Sequence, residues 1–506
     1  MACLVRHVGL ESVALSRDFG RYSASAQWRG VYYRGDKIGF TVSQTVAQED
    51  GFELQEDGRL QMVLLGATSA ARIRTVARVD KAFALRSFSF LLDPGTGPVT
   101  VEGTVNGRRL DLQVVTPSST RKETRELPEP PNLSLNLPKK LAGSGLKAGL
   151  HLSLSTFDPA TLRNAPMDVD VESREVVWAM GRPVPAFRVK TSFAGLTSTS
   201  WVTEVGEVVR EESPTGLMVV RENRDLAMAI AVPGDVQADM LKSAAIVPTG
   251  PRILDPTNVK LLRLRVEGAE LEKRDLDGGA QRLVDGAVEI DDPMTLEATA
   301  EDPAAERYLS AEPFIESDAP EIQAEAKRAA GGATAPRLQA ERLVRYVNAL
   351  LEKRPTVSLP SALEVLRTKV GDCNEHTVLY VAMARALGMP SRIAVGLVFV
   401  HGAFYFHAWP EVYLRSDGKR GLWLPVDPTL NQFPADATHF AVGRGGLDRQ
   451  AAVATLLGRA KITVERLEIK TSNAVLVGRA KADLRPIGFD LPKRGDAVGC
   501  WSSPGR

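Results

Sequence analysis

The chain has 506 residues, 44% hydrophobic and 25% charged, with a formal net charge of +1. That length exceeds what a single core usually fills, so two or three domains are expected. The near-zero charge removes any bulk pull toward nucleic acid or anionic membrane, and no run of about 18 apolar residues exists to cross a bilayer as a helix.

The N-terminal stretch Met1-Ala2-Cys3-Leu4-Val5-Arg6-His7 lacks the basic region and apolar run of a signal peptide. The chain as written is therefore expected in the cytoplasm; a truncated start would leave the cell envelope open. Residues 1–24 read as a loose N-terminal segment, and residues 25–240 as β-rich. Short alternating runs such as Lys37-Ile38-Gly39-Phe40-Thr41-Val42 and Arg86-Ser87-Phe88-Ser89-Phe90 recur there. Turn chemistry separates them: Gly35-Asp36, Asp50-Gly51, Asp93-Pro94-Gly95 and Asn106-Gly107. Residues 241–310 read as a smaller β unit around Val259–Val266, and 311–340 as a linker with helical character, carrying the small-residue stretch Ala329–Pro336.

From Pro336 the period changes. Leu343, Tyr346, Val347, Leu350 and Leu351 fall on one helix face, and residues 361–369 form a second short helical candidate. Asp372 can cap the next helix, with Glu375 at the third helical position, a D-x-x-E variant of the capping box. That helix would run through Leu387, where Gly388 and Pro390 end it. Strands follow over residues 392–400, 404–414 and 421–426, joined by turns at His401-Gly402-Ala403 and Ser416-Asp417-Gly418-Lys419. Residues 341–470 thus read as one further domain, and 471–506 as a frayed tail.

The three cysteines, Cys3, Cys373 and Cys500, are neither a disulfide framework nor a metal motif. A packed structural thiol is the default for a lone cysteine. Cys373 departs from it because capping places it at the first position of a helix. There the dipole and unpaired N–H groups favour thiolate, and the same N–H groups can hold an oxyanion.

His407 and Asp427 follow on the predicted meander. A two-residue turn at Asp417-Gly418 would put them on opposite faces. A three-residue turn, Ser416 to Gly418, would set His407 directly opposite Asp427. A dyad therefore favours the shifted register, with Pro410 as a source of local irregularity. An aspartate beside the histidine would orient it and stabilise its cation. His376, three residues after Cys373, is the rival base. His401 and His439 are weaker, both in predicted loops. Trp409 could wall the site or stack on substrate, with core packing as the alternative. Asn374 and Glu375 are assigned to the helix start.

The stretches Gly371-Asp372-Cys373-Asn374-Glu375-His376, Ala384–Arg392, His407-Ala408-Trp409-Pro410-Glu411-Val412-Tyr413 and Trp423–Thr429 resemble the transglutaminase-like superfamily, a branch of papain-like thiol enzymes. The resemblance covers about residues 340–445. It implies an α+β architecture, a papain-like/transglutaminase-like catalytic domain preceded by a large antiparallel β-rich region. It also implies Cys373 as nucleophile, His407 as base, Asp427 as orienter, and a thioester formed from an amide carbonyl. Bacterial relatives of this kind include peptidases and amidases as well as cross-linkers, so the acyl acceptor stays open. The calcium sites of the animal cross-linking enzymes cannot be placed, so no metal and no cofactor is expected. The expected partner is a protein or peptide substrate; the rival is an inactive binding or assembly module using the β-rich region.

Overall fold

The computed structural model describes residues 19–64, 67–95, 97–230, 239–268, 276–355, 358–416, 420–446, 456 and 459–470. Most of the expected N-terminal segment and all of the tail at 471–506 lie outside these residues. The part of the segment that is described is packed rather than loose: Phe19 is fully buried edge-on to Trp28 and Phe40.

The β-rich region is one fourteen-stranded antiparallel sheet. Eight strands, from Gln27–Tyr33 to Thr120–Glu126, pair in sequence order; six more, from His151–Asp158 to Leu217–Glu222, form a second meander. The first and last strands join the two, with Trp28 opposite Glu222. Alternation explains the strands: in Val99–Asn106, Val99, Val101 and Val105 are buried while Glu102, Thr104 and Asn106 are exposed. The sheet rolls so that Phe157, on its far edge strand, packs on Phe88 of the first meander, ring centroids 5.6 Å apart. Burying each ring stabilises by about 2–3 kcal/mol.

The remainder shares one core. A five-stranded antiparallel sheet contains β1 (Ser391–Val400), β2 (Ala403–Arg415), β3 (Arg420–Pro425) and β4 (Phe440–Gly445), with the two-residue strand Thr299–Ala300 at its edge beside β3. Four helices pack around it: α1 (Pro320–Ala330), α2 (Pro336–Leu350), α3 (Ala362–Thr368) and α4 (Cys373–Ala386). The expected linker is in fact a helical hairpin. Pro320 and Pro336 open α1 and α2 at positions where a missing N–H costs nothing. Gly331, at φ 55°, ends α1 in the left-handed region that glycine tolerates.

The expected small β unit is not self-contained either. Its strand Val259–Glu267 pairs with Lys461–Ile469, which follows the five-stranded sheet in sequence. Leu262, Val347, Val378, Val395 and Val464 lie in the same buried cluster. The fourteen-stranded sheet contacts this body through the hairpin at residues 116–119. Ser119 donates to Glu316 at 3.2 Å and Ser118 to Glu364 at 2.8 Å.

Candidate active site

Cys373 is the first residue of α4, as capping predicts. The Asp372 carboxylate accepts from the Asn374 N–H at 2.9 Å, and Glu375 accepts from the Asp372 N–H at 2.8 Å, completing the capping box. Such a cap contributes about 1 kcal/mol. Gly371 is required by this arrangement: a Cβ there would lie 2.2 Å from Cβ of Glu375, which folds back over it. Ser358 holds the other oxygen of Glu375.

Cys373 as a residue is part-exposed, and the electrostatics of its thiol differ from the expectation. Burial of the thiolate, followed by the Asp372 carboxylate and then Glu375 and Asp427, pushes it well above its ordinary value. The Ala408 backbone N–H opposes this. The physical reason is local: the carboxylate that caps the helix stands beside the sulfur and offsets the helix dipole, worth about 0.3–1 kcal/mol.

The Ala408 contact brings α4 against β2, where His407 is the preceding residue. Thr377 Oγ1 reinforces it, donating to the Ala408 carbonyl at 3.1 Å. His407 Nε2 lies 2.7 Å from Asp427 Oδ2, and both side chains are buried. Because Asp427 can only accept, Nε2 carries the proton and Nδ1 is left as the basic nitrogen.

The register differs from the expected one. Arg415 pairs with Gly421 and Glu411 with Pro425, two residues along from the alignment that would set His407 directly opposite Asp427. The shift of two preserves the face, so the residues still meet, diagonally and beyond the ladder's end. The connection at 417–419 lies outside the described residues. Pro410 causes no bulge; its pairing with Ile393 on β1 is regular. On the other side its carbonyl accepts from the Val426 N–H at 3.0 Å, but it has no N–H to return. The β2–β3 ladder stops there, and the chain turns into a loop closed by Asp427 and Gln432, whose N–H groups donate to each other's carbonyls.

Asp427 is held on every side. Oδ1 accepts from the Thr429 and Leu430 N–H groups at 2.7 and 2.9 Å. Oδ2 accepts from His407 and also from His439 Nε2 at 3.1 Å. Burial alone would raise this carboxyl; the two histidines outweigh it and hold it far below the carboxylate range.

The rival base, His376, is fully buried within α4. Its Nδ1 is 2.7 Å from the Asp372 carbonyl, and burial pushes its pKa below the ordinary value. Trp409 is 1% exposed, so core packing prevails over the alternative of a cleft wall. It packs against Ala394 and Ala441, stacks on His407 (6.0 Å, 19°) and meets His439 edge-on at 5.1 Å. His439 is the residue sequence reasoning undervalued, and only its aspartate neighbour at Asp436 hinted at a partner.

Among the described residues, His407, Asp427 and His439 are a group whose ligand atoms, all within 4.8 Å of one another, could hold a metal ion. Their 2.7 and 3.1 Å contacts are hydrogen-bond lengths. Ligands 2.0–2.1 Å from a tetrahedral ion stand about 3.3 Å apart.

Residues 323–428 match the model of the transglutaminase-like superfamily, a span that contains Cys373, His407 and Asp427. This part of the chain is a transglutaminase-like domain, and it begins within α1, earlier than its motifs alone suggest. No curated protein matches the chain. Among solved structures, a candidate cysteine protease from Cytophaga hutchinsonii is 16% identical, covering 44% of this chain and 89% of that one, with a TM-score of 0.26. A DUF1089 family protein from Pseudomonas aeruginosa is 12% identical over 33% of this chain and 87% of its own, TM-score 0.23. A candidate protease from Parabacteroides distasonis is 12% identical over 64% and 63%, TM-score 0.19.

Proposed function

We propose that the domain is a cysteine-dependent acyl-transfer enzyme that acts on an amide bond of a protein or peptide. The observation that carries this reading is the 2.7 Å contact between His407 Nε2 and Asp427, made beside a strand whose backbone faces the thiol of a helix-start cysteine.

In this reading His407 Nδ1 removes the Cys373 proton as sulfur attacks the carbonyl carbon. The oxyanion is received by the Cys373 N–H, which has no carbonyl four residues back within the helix. His407 then returns the proton to the departing amine, leaving a thioester. Water or a second amine attacks the thioester, giving hydrolysis or transamidation, and sulfur leaves as the thiol. The resting state keeps the thiol protonated, because burial and the Asp372 carboxylate both disfavour thiolate.

That raised thiol is also the observation that favours a second reading, an inactive binding or assembly module. Alkylation by iodoacetamide near neutral pH separates the two. Selective labelling of Cys373 that is lost in His407→Ala supports the enzyme. A Cys373 no more reactive than Cys3 and Cys500, and indifferent to His407→Ala, establishes the module.

A further inference from the structure

His439 follows a loop that leaves Asp427 and returns to it. Asp436 shapes the return: its carboxylate accepts from the Thr438 N–H at 2.9 Å, turning the chain into β4. The His439 ring is then enclosed, 5% exposed, with an acceptor at each nitrogen. Nδ1 lies 3.0 Å from the Asp436 carbonyl and 3.4 Å from Asp436 Oδ1. Nε2 lies 3.1 Å from Asp427 Oδ2. A neutral imidazole has one N–H; satisfying both sides takes two.

We propose that His439 is a resident imidazolium that fixes Asp427 in place, a positioning residue that extends the candidate Cys373–His407–Asp427 set to four. The proposal rests on the catalytic reading of those three residues and adds the charge state and holder of the orienting carboxylate.

Two arguments carry it. The first is geometric. Oδ1 is bound by two backbone donors, and His439 supplies the donor that fixes Oδ2 independently of His407. When His407 moves with its proton, the carboxylate therefore has a second anchor. The second is charge. Asp427 and Asp436 contribute two negative charges to a buried cluster, and His439 offsets one. Protonating His407 during turnover then takes the cluster from −1 to 0 instead of from −2 to −1, which limits the charge kept out of water.

The surroundings agree. Burial disfavours the His439 cation, but Asp427 and Asp436 hold it up to about 10, and His439 helps hold Asp436 down to about 2. The other titratable or charged groups facing this cluster are His407, with its ring 5.8 Å from that of His439, and the Glu411–Arg444 pair, which lines a small cavity with His439, Asp436 and Trp409. Glu411 is bound by both Arg392 and Arg444, so that trio adds no negative charge. Cys373 and His376 sense the cluster through Asp427.

The test uses the full-length chain in four forms: wild type, His439→Gln, His439→Ala and Cys373→Ala. Ring-nitrogen NMR of wild type should show His439 doubly protonated at pH 8; a neutral ring there overturns the proposal. In His439→Gln, the His407 Nε2–H proton signal should move downfield, because Asp427 then serves His407 without a competing cation. An unmoved signal overturns it. Iodoacetamide labelling of Cys373 should slow about tenfold in His439→Ala and recover most of that in His439→Gln, which still donates to Asp427. Equal losses in both, matched by equal falls in melting temperature, reduce His439 to a structural residue and overturn the proposal. Zinc co-purifying at one ion per chain, with the ring N–H signals absent, overturns it in favour of coordination. The NMR measurements repeated in Cys373→Ala stand whether or not the thiol is catalytic, so failure of the enzyme reading is distinguishable from failure of this one.

Discussion

Two fully buried aspartates, one in each region of the molecule, are held in opposite ways. Asp57, in the fourteen-stranded sheet, is held by long side chains: Arg21 pairs with it at 2.5 Å and the Tyr22 hydroxyl donates to it, with Arg74 farther off at 3.8 Å. Arg21 and Arg74 are themselves about a third exposed. Asp427, in the transglutaminase-like domain, is gripped by two short backbone contacts and two buried imidazoles. A carboxylate held by flexible cations can relax when a partner moves. One held by backbone and rings keeps its direction, which orienting a base requires. Burial alone therefore does not distinguish the two acids; the stiffness of what surrounds them does.

Asp427 is where a substitution should have the largest effect. Asp427→Asn should lower turnover, or Cys373 alkylation as its proxy, on the order of 10³–10⁴-fold with the fold intact. A fall in melting temperature without loss of reactivity would put Asp427 in the same structural class as Asp57. Asp57→Ala should do the reverse. It leaves the buried Tyr22 hydroxyl without its acceptor and costs about 1–3 kcal/mol in chemical denaturation, with Cys373 reactivity unchanged in the folded fraction. Loss of reactivity there would show that the two regions are energetically coupled. The smallest effect concerns pH. The folded-state pKa of His439 is raised from 6.5 to about 10. Its stabilisation is therefore fully present below the ordinary value and lost as pH rises through about 10. Melting temperature should decline across that window, and His439→Gln should flatten the decline.

Much of this site was legible in the sequence, for a physical reason. Capping is local, so Asp372 and Glu375 placed Cys373 at a helix start without any tertiary information. Strand parity is nearly local, so His407 and Asp427 could be put on one face once the turn length was right. The actual offset is present from the turn end of the hairpin, where Arg415 pairs with Gly421; Pro410, with no N–H, ends the ladder at the other end. Its effect was anticipated as an irregularity in the strand and occurs instead as a termination. His439 was not legible, because its role arises from a loop that doubles back through Asp436, and loops carry no period. The α1–α2 hairpin read as a linker because Ala329–Thr334 is built of small residues. The prolines and Gly331 that flank it are helix punctuation. The separate β unit failed because strand pairing between Val259–Glu267 and Lys461–Ile469 joins segments almost two hundred residues apart.

That last pairing bears on how the molecule is made. On a translating ribosome, Cys373, His407 and Asp427 all leave the exit tunnel before the strand Lys461–Ile469 that closes the sheet beside Val259–Glu267. The nascent chain thus carries the three candidate residues while an edge of the supporting structure is still unpaired, and a chain truncated before residue 461 would keep those residues and lose the strand that pairs with Val259–Glu267.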